Sequence, residues 1–175
     1  MRPLFDGTKW RLSSDVPYEY LQEIGFLAVE CAWIDTAIIE FIGLLAFYKV
    51  SPKERILKAE CLVGGEPSNV LLSKLSKLFN ICISDQALQS EFKAILEEVK
   101  KVYSNRGLYV HSCLLCNEPW HRPDVIKAFK ITRGNMRKDL GQIPLSRLTK
   151  ACNEARSTNE RFLSFFSKVS MFLKK

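Results

Sequence analysis

A long apolar segment, Ile24–Val50, constrains the fold of this chain more than any other feature of its sequence. Across Tyr20–Leu45 the apolar residues recur every three or four positions, which is the period of an α-helix. Glu30, Asp35 and Glu40 interrupt the segment, and each would cost roughly 2.5–3.5 kcal/mol at the centre of a bilayer. The segment therefore predicts a buried helix of a soluble protein rather than a membrane span.

The helical period returns in four further segments of the chain. The first helix is predicted to begin after a cap at Ser14 or Asp15 and to end before Ser51-Pro52. The others are predicted at about Pro52–Val63, at about Ser68–Phe79, from a cap at Ser84 or Asp85 into Arg106–His111, and at about Leu145–Leu173. Prolines and glycines break the pattern over residues 117–145, where Val125–Thr132 alternates loosely as a β-strand does.

These segments together predict an all-α fold with a single domain over residues 1–175, of which 1–14 form an irregular arm. The domain is a bundle of about five helices with a short loop or β-hairpin excursion before the last helix. The sequence shows no internal repeat or linker that would divide it.

Charge is unevenly distributed along the chain. Residues 1–100 carry 11 Lys/Arg and 14 Asp/Glu, whereas residues 101–175 carry 15 and 5. A basic half favours a polyanion such as RNA as the partner. A solvated basic surface with no ligand is the alternative interpretation.

The sequence also limits the compartment and the cofactors. Its first residues contain no apolar signal segment, and its six cysteines lie mostly singly within apolar helical patterns. We therefore expect reduced thiols, a cytoplasmic location and no membrane association. No phosphate-cradling glycine loop and no nucleophile elbow is present, so no cofactor is expected.

Two residues suited to RNA chemistry, Arg106 and His111, stand five positions apart. Histidine titrates near neutrality and transfers protons, whereas arginine stays charged and grips phosphoryl oxygens. The pair suffices to promote attack by the RNA 2′-hydroxyl on the adjacent phosphorus without a metal, leaving a 2′,3′-cyclic phosphate and a 5′-hydroxyl. On a straight helix the two side chains would point about 140° apart. They converge better if the backbone kinks between them, which Gly107 permits.

The stretch Tyr103–Ser112 resembles the signature of the HEPN superfamily, an arginine followed after four to six residues by a histidine. The apolar residues between the two ends and the serine after the histidine fit the family pattern. The order of helices is also similar, from about residue 17 to 172. The resemblance implies an endoribonuclease of a toxin, defence or stress system with Arg106 and His111 as the catalytic pair. It further implies a homodimer whose two motifs face RNA in one cleft, and an antitoxin or regulatory protein as a further partner.

Five other residues near the motif are candidates for RNA binding. Asn105 directly precedes the arginine, Tyr109 follows it by three residues, and Lys127, Lys130 and Arg133 lie in the excursion. If the excursion folds over the same end of the bundle, its basic residues line an RNA cleft. The alternative is an exposed hairpin whose charges serve solubility and protect its edge.

Two acidic residues of the first helix, Glu30 and Asp35, lie in an apolar pattern and require polar partners. One hypothesis is that one of them orients Arg106. The other is that each pairs with a different basic group.

The sequence departs from the family pattern at two positions. Gly107 stands where a polar residue commonly follows the arginine, and Asn105 is the polar residue on its other side. Cys113 stands where toxins that a partner nucleotidyltransferase modifies carry a tyrosine. That variety of toxin is therefore disfavoured.

Two alternatives stay open beside the nuclease. Cys113, Cys116 and His121 have the spacing of part of a zinc knuckle, with His111 as a further ligand, although Ile126 stands where the knuckle would carry a cysteine. The leucines between the cysteines favour structural thiols, so no metal site is predicted. The second alternative is a non-catalytic helical dimer that binds RNA or a protein partner through the basic half.

Overall fold

The computed structural model describes residues 17–110, 113–115, 125–131 and 137–174, with side chains over 17–110 and 143–174. Within these residues the chain forms five helices and three short strands. The helices are α1 (Tyr18–Ala46), α2 (Pro52–Val63), α3 (Ser68–Cys82), α4 (Gln86–Tyr109) and α5 (Leu145–Phe172). The strands are β1 (Cys113–Leu115), β2 (Val125–Ile131) and β3 (Arg137–Pro144). The predicted helical bundle of about five helices, with its excursion before the last, is confirmed.

Local hydrogen bonds mark where three of the helices begin. Pro17 accepts the first backbone hydrogen bond of α1, from the Tyr20 amide at 3.0 Å, so α1 begins a few residues after the predicted cap. The Ser51 hydroxyl accepts from the Glu54 amide at 3.4 Å before α2. Before α4 the carboxylate of Asp85, rather than Ser84, accepts from the Leu88 amide at 2.8 Å.

The excursion is a three-stranded antiparallel sheet in the order β1-β2-β3. Its central strand, β2, coincides with the segment whose alternation predicts a strand. Ala128 pairs with Gly141 and Phe129 with Asp139, so β3 contains one extra residue at this point, a β-bulge. β3 then runs directly into α5.

The described residues pack into two compact units. We call the unit formed from the described residues within Met1–Ala28 and Asn105–Asn153 the sheet unit, and the unit formed from those within Val29–Ser104 and Glu154–Lys175 the helical unit. The prediction of a single domain stays a prediction.

The core of the helical unit is built around the ring of Phe41 on α1. Five other phenylalanine rings lie around it with centroid distances from 5.1 to 6.2 Å, all meeting it edge-on. These rings belong to Phe79, Phe92, Phe162, Phe165 and Phe166. Edge-to-face rings add roughly 0.5–1.5 kcal/mol per pair to the energy of burial, so this cluster is a main source of stability.

In the sheet unit, three hydrogen bonds join the first turns of α1 to β3 and to the start of α5. The buried hydroxyl of Tyr20 donates to the carbonyl of Ile143 at 2.9 Å. Thr149 donates to the carboxylate of Glu23 at 3.0 Å. The thiol of Cys152 donates to the backbone carbonyl of Glu23 at 3.1 Å. These bonds hold the end of the sheet against the helical part of the same unit.

No helix within the described ranges has both the length and the apolar character that crossing a bilayer requires.

Candidate functional site

The candidate site is built on the last turn of α4, where Arg106 lies. The side chain is half-buried, and its Nε atom is buried. A cation in the last turn interacts favourably with the helix dipole. The charge of this arginine is therefore held at the end of a helix and close to the protein surface.

The backbone stays helical through Gly107. The Val110 amide donates to the Arg106 carbonyl at 2.8 Å, and α4 continues to Tyr109. The kink that Gly107 permits is therefore absent from the described part of α4. A change of chain direction that brings His111 towards Arg106 must begin at Val110 or later, and His111 itself lies outside the described residues.

Replacing Gly107 by alanine tests whether flexibility at this position matters. A Cβ atom at Gly107 would meet no atom within 4 Å, and glycine within a helix costs about 0.5–1 kcal/mol relative to alanine. We expect Gly107→Ala to raise the free energy of unfolding by about that amount in urea denaturation. RNA cleavage should persist if the straight helix is the active form.

Gly43→Ala serves as the control for this substitution. At that position a Cβ atom would lie 3.0 Å from the Arg55 carbonyl oxygen and 3.1 Å from the Ala59 Cβ atom, so no comparable gain is expected. A loss of stability in Gly107→Ala would contradict the observed helical path through residue 107.

The two candidates beside the arginine differ in exposure. Asn105 is half-buried, whereas Tyr109 is only 3% exposed and belongs to the core of the sheet unit. A ring buried to this degree does not stack on an RNA base unless it is first uncovered. RNA contact by Asn105 and Tyr109 stays a prediction, and for Tyr109 it requires a movement of the ring.

Two of the three basic candidates of the excursion fall on the sheet. The backbone positions of Lys127 and Lys130 lie on its central strand, while Arg133 lies outside the described residues. In the register of β2 and β3, Lys130 is directly paired with Lys138. The pairing brings together two lysine positions that are eight residues apart in sequence.

The competing zinc hypothesis depends on residues whose side chains are outside the described part of the chain. Cys113 contributes its backbone to β1, and His111, Cys116 and His121 are not among the described residues. Among the described side chains, no three histidine, cysteine, aspartate or glutamate residues cluster as metal ligands would.

Glu30 and Asp35, two of the acidic residues of α1, find partners within the helical unit. Glu30 accepts from Arg156 at 3.3 Å and from Asn159 at 3.2 Å, both on α5. Asp35 accepts from the hydroxyl of Tyr103 on α4 at 2.5 Å. The hypothesis that one of them orients Arg106 stays a hypothesis.

The bond between Tyr103 and Asp35 is a feature that the sequence analysis missed. Tyr103 fits the apolar spacing of α4. Only Asp35, an acidic residue in the apolar pattern of α1, signals that a polar partner is needed. Burial raises the pKa of Tyr103 far above its ordinary value. The hydrogen bond to Asp35 and the negative charge of Asp35 raise this pKa further. The hydroxyl therefore remains a donor to Asp35 at every physiological pH.

We expect Tyr103→Phe to lower the free energy of unfolding by about 1.5–3 kcal/mol near pH 8, because the half-buried carboxylate loses a donor. The raised pKa predicts a dependence on pH. The stability that the Tyr103 hydroxyl contributes is complete below the ordinary tyrosine pKa of 10.0. It is lost as the pH rises above that value, because tyrosine ionises first in the unfolded chain. The difference between wild type and variant should therefore shrink at alkaline pH in urea titrations. Tyr48→Phe, at a half-exposed position, is the control and should change little.

Comparison with models of protein families, with curated proteins and with solved structures finds no match to this chain.

Proposed function

We propose that this protein is a metal-independent endoribonuclease in which Arg106 stabilises charge on the phosphate and His111 transfers protons. The observation that carries the proposal is Arg106 itself, a half-buried cation in the last turn of α4, five residues before one of only two histidines in the chain. The resemblance of this segment to the HEPN motif supports the same pair.

Charge supports the choice of RNA as the substrate. The sheet unit includes Asn105–Asn153, a segment with nine Lys/Arg and three Asp/Glu. The end of α4 and the three strands therefore belong to one compact unit, and this segment of the unit is strongly basic. A phosphodiester chain is attracted to such a unit by neutralisation of its phosphates.

Register within the sheet supports the hairpin of β2 and β3 as the part that contacts the RNA backbone. Lys130 is directly opposed to Lys138 in the register of β2 and β3. Two basic positions that lie together on one hairpin favour a polyanionic partner such as the RNA backbone. β2 is the central strand, so protection of a sheet edge does not account for Lys130.

The proposed reaction is a transesterification at phosphorus. The 2′-oxygen forms a bond to phosphorus while the bond from phosphorus to the 5′-oxygen breaks, which leaves a 2′,3′-cyclic phosphate. His111 accepts the 2′-hydroxyl proton, and a protonated His111 of the second copy in a homodimer supplies the proton to the departing 5′-oxygen. Arg106 stabilises the negative charge that develops on the non-bridging oxygens.

The test is incubation of the purified protein with mixed RNA in the presence of EDTA. We expect cleavage, with 2′,3′-cyclic phosphate and 5′-hydroxyl ends on the products. The non-catalytic alternative predicts RNA binding that weakens with rising salt but no cleavage. Intact RNA under every condition, with salt-sensitive binding, would overturn the nuclease proposal in favour of that alternative.

Within a cell such an activity fits a toxin, defence or stress-response role. It requires restraint by an antitoxin or regulatory protein, which is part of the same proposal.

A further inference from the structure

The register of the three strands assigns each sheet residue to one of two faces, because successive residues of a strand lie on opposite faces. One face includes Ile143 on β3, which is only 1% exposed and belongs to the core. Near Ile143 this face carries only apolar residues and a glycine, so it is the core face of the sheet. Its other members are Leu114, Ile126, Ala128 and Gly141, followed by Lys130 and Lys138 at the far end of the hairpin.

The opposite face, which we call the Phe129 face, has a different composition. Phe129 lies at its centre on the central strand, and Asp139 is directly opposed to it on β3. Lys127 lies two positions earlier on β2 and is opposed to Gln142, and Arg137 begins β3. An aromatic position thus stands among charged and polar ones. The remaining members are Cys113, Leu115, Val125, Ile131 and Pro144.

Strand spacing places a basic position on each side of Phe129. Two residues along a strand cover about 7 Å, so Lys127 and Phe129 are neighbours on this face. Arg137 is opposed to Ile131, which makes it a diagonal neighbour of Phe129 at about 7–8 Å, on the side away from Lys127. The order along the face is therefore basic, aromatic, basic. A single strand of RNA has the complementary order, since each base lies between two phosphates.

We propose that the Phe129 face binds unpaired RNA, with a base stacked on Phe129 and the phosphates on either side at Lys127 and Arg137. Aromatic side chains within a positively charged groove are a general way of holding single-stranded nucleic acids. Asp139 and Gln142 supply hydrogen-bonding groups for the edge of the base. This inference rests on the proposal that RNA is the substrate, and it names the single-stranded form as the one that is bound.

Two further features favour an unpaired strand. The β-bulge of the hairpin falls between Ala128 and Phe129, and bulges increase the local twist and often lie next to functional sites. The bases of a duplex already stack on one another and leave no face free, whereas bases of single-stranded segments stack on aromatic side chains. A duplex would therefore use the basic positions of the sheet but not Phe129.

The experiment measures RNA binding by fluorescence anisotropy in the His111→Ala chain, with a short labelled single strand and with the same strand annealed to its complement. We expect the dissociation constant for the single strand to rise about 5-fold or more in Phe129→Leu, the effect of losing one stacked base. Phe129→Tyr keeps an aromatic ring and should bind as its parent does. Binding of the duplex should be unchanged in both variants.

Phe172→Leu is the matched control, because this phenylalanine is 41% exposed at the end of α5 and belongs to the helical unit. The same change of side chain at this position should leave the binding of both RNAs unaltered. Thermal denaturation followed by circular dichroism establishes that each variant is folded.

Equal affinity of Phe129→Leu and its parent for the single strand would overturn the inference. A loss that Phe129→Tyr shares, or that extends equally to the duplex, would also overturn it. Cleavage by the wild type in EDTA tests the proposed reaction separately. Cleavage without an effect of Phe129→Leu on binding refutes this inference alone, whereas binding that depends on Phe129 without any cleavage refutes the reaction alone.

Discussion

RNA cleavage in EDTA is expected to fall by about 10²–10⁴-fold in His111→Ala, the range that a positioned general acid or base contributes. The substitution removes the proton-transfer group but leaves Arg106 on the last turn of α4. RNA binding should therefore persist, with its salt dependence unchanged, because phosphate contacts from basic residues carry it. The measurement is the initial rate of cleavage of a labelled RNA, with circular dichroism to establish that the variant is folded.

His121→Ala is the matched control, since residues 111 and 121 are the only histidines in the chain. The nuclease proposal expects wild-type cleavage from His121→Ala. Loss of activity in both variants, together with unfolding on exposure to EDTA, would favour a zinc site that uses both histidines. Unchanged cleavage in His111→Ala would remove this residue from the proposed mechanism.

The largest effect on stability is expected from Phe41→Ala. This ring lies at the centre of the phenylalanine cluster and is completely buried. Removing it deletes its contacts with five other rings and leaves a cavity that neighbouring helices cannot fill completely. We expect the free energy of unfolding to fall by about 3–5 kcal/mol, measured by urea denaturation followed by circular dichroism.

Ile81→Ala is the comparison, because this large apolar side chain is 80% exposed and should contribute less than about 0.5 kcal/mol. A small effect of Phe41→Ala, similar to that of Ile81→Ala, would contradict the central place of the ring in the core. A loss of the folded state would agree with it, and Phe41→Leu then measures the reduced effect in a protein that still folds.

The helices were predictable because the information that forms them is local. The apolar period of three and four residues is present in each segment, and α2 occupies the range that the sequence predicts. Ser51 and Asp85 cap helices that begin within three residues of them. Where the ends differ, as at the start of α1 and the end of α3, only the flanking residues are affected.

The candidate site was predictable only in part. The sequence identifies Arg106 and His111 by chemistry and spacing, but it does not determine the path of the backbone between them. Helical hydrogen bonding continues through Gly107 because nothing in the described structure forces the chain to depart from it there. The burial of Tyr109 could not be predicted from the sequence either, since an aromatic residue near a motif is compatible with either a core or a binding surface.

Local patterns in the chain were sufficient to predict the fold class, the order of the helices, the position of β2 and the basic character of the second half of the chain. These properties depend on the period, caps and charges of neighbouring residues. Which distant groups meet was established by the packing of the elements. It paired Asp35 with Tyr103, Tyr20 with the carbonyl of Ile143, and Lys130 with Lys138. Such pairs depend on how elements pack and on strand register, which no local pattern specifies.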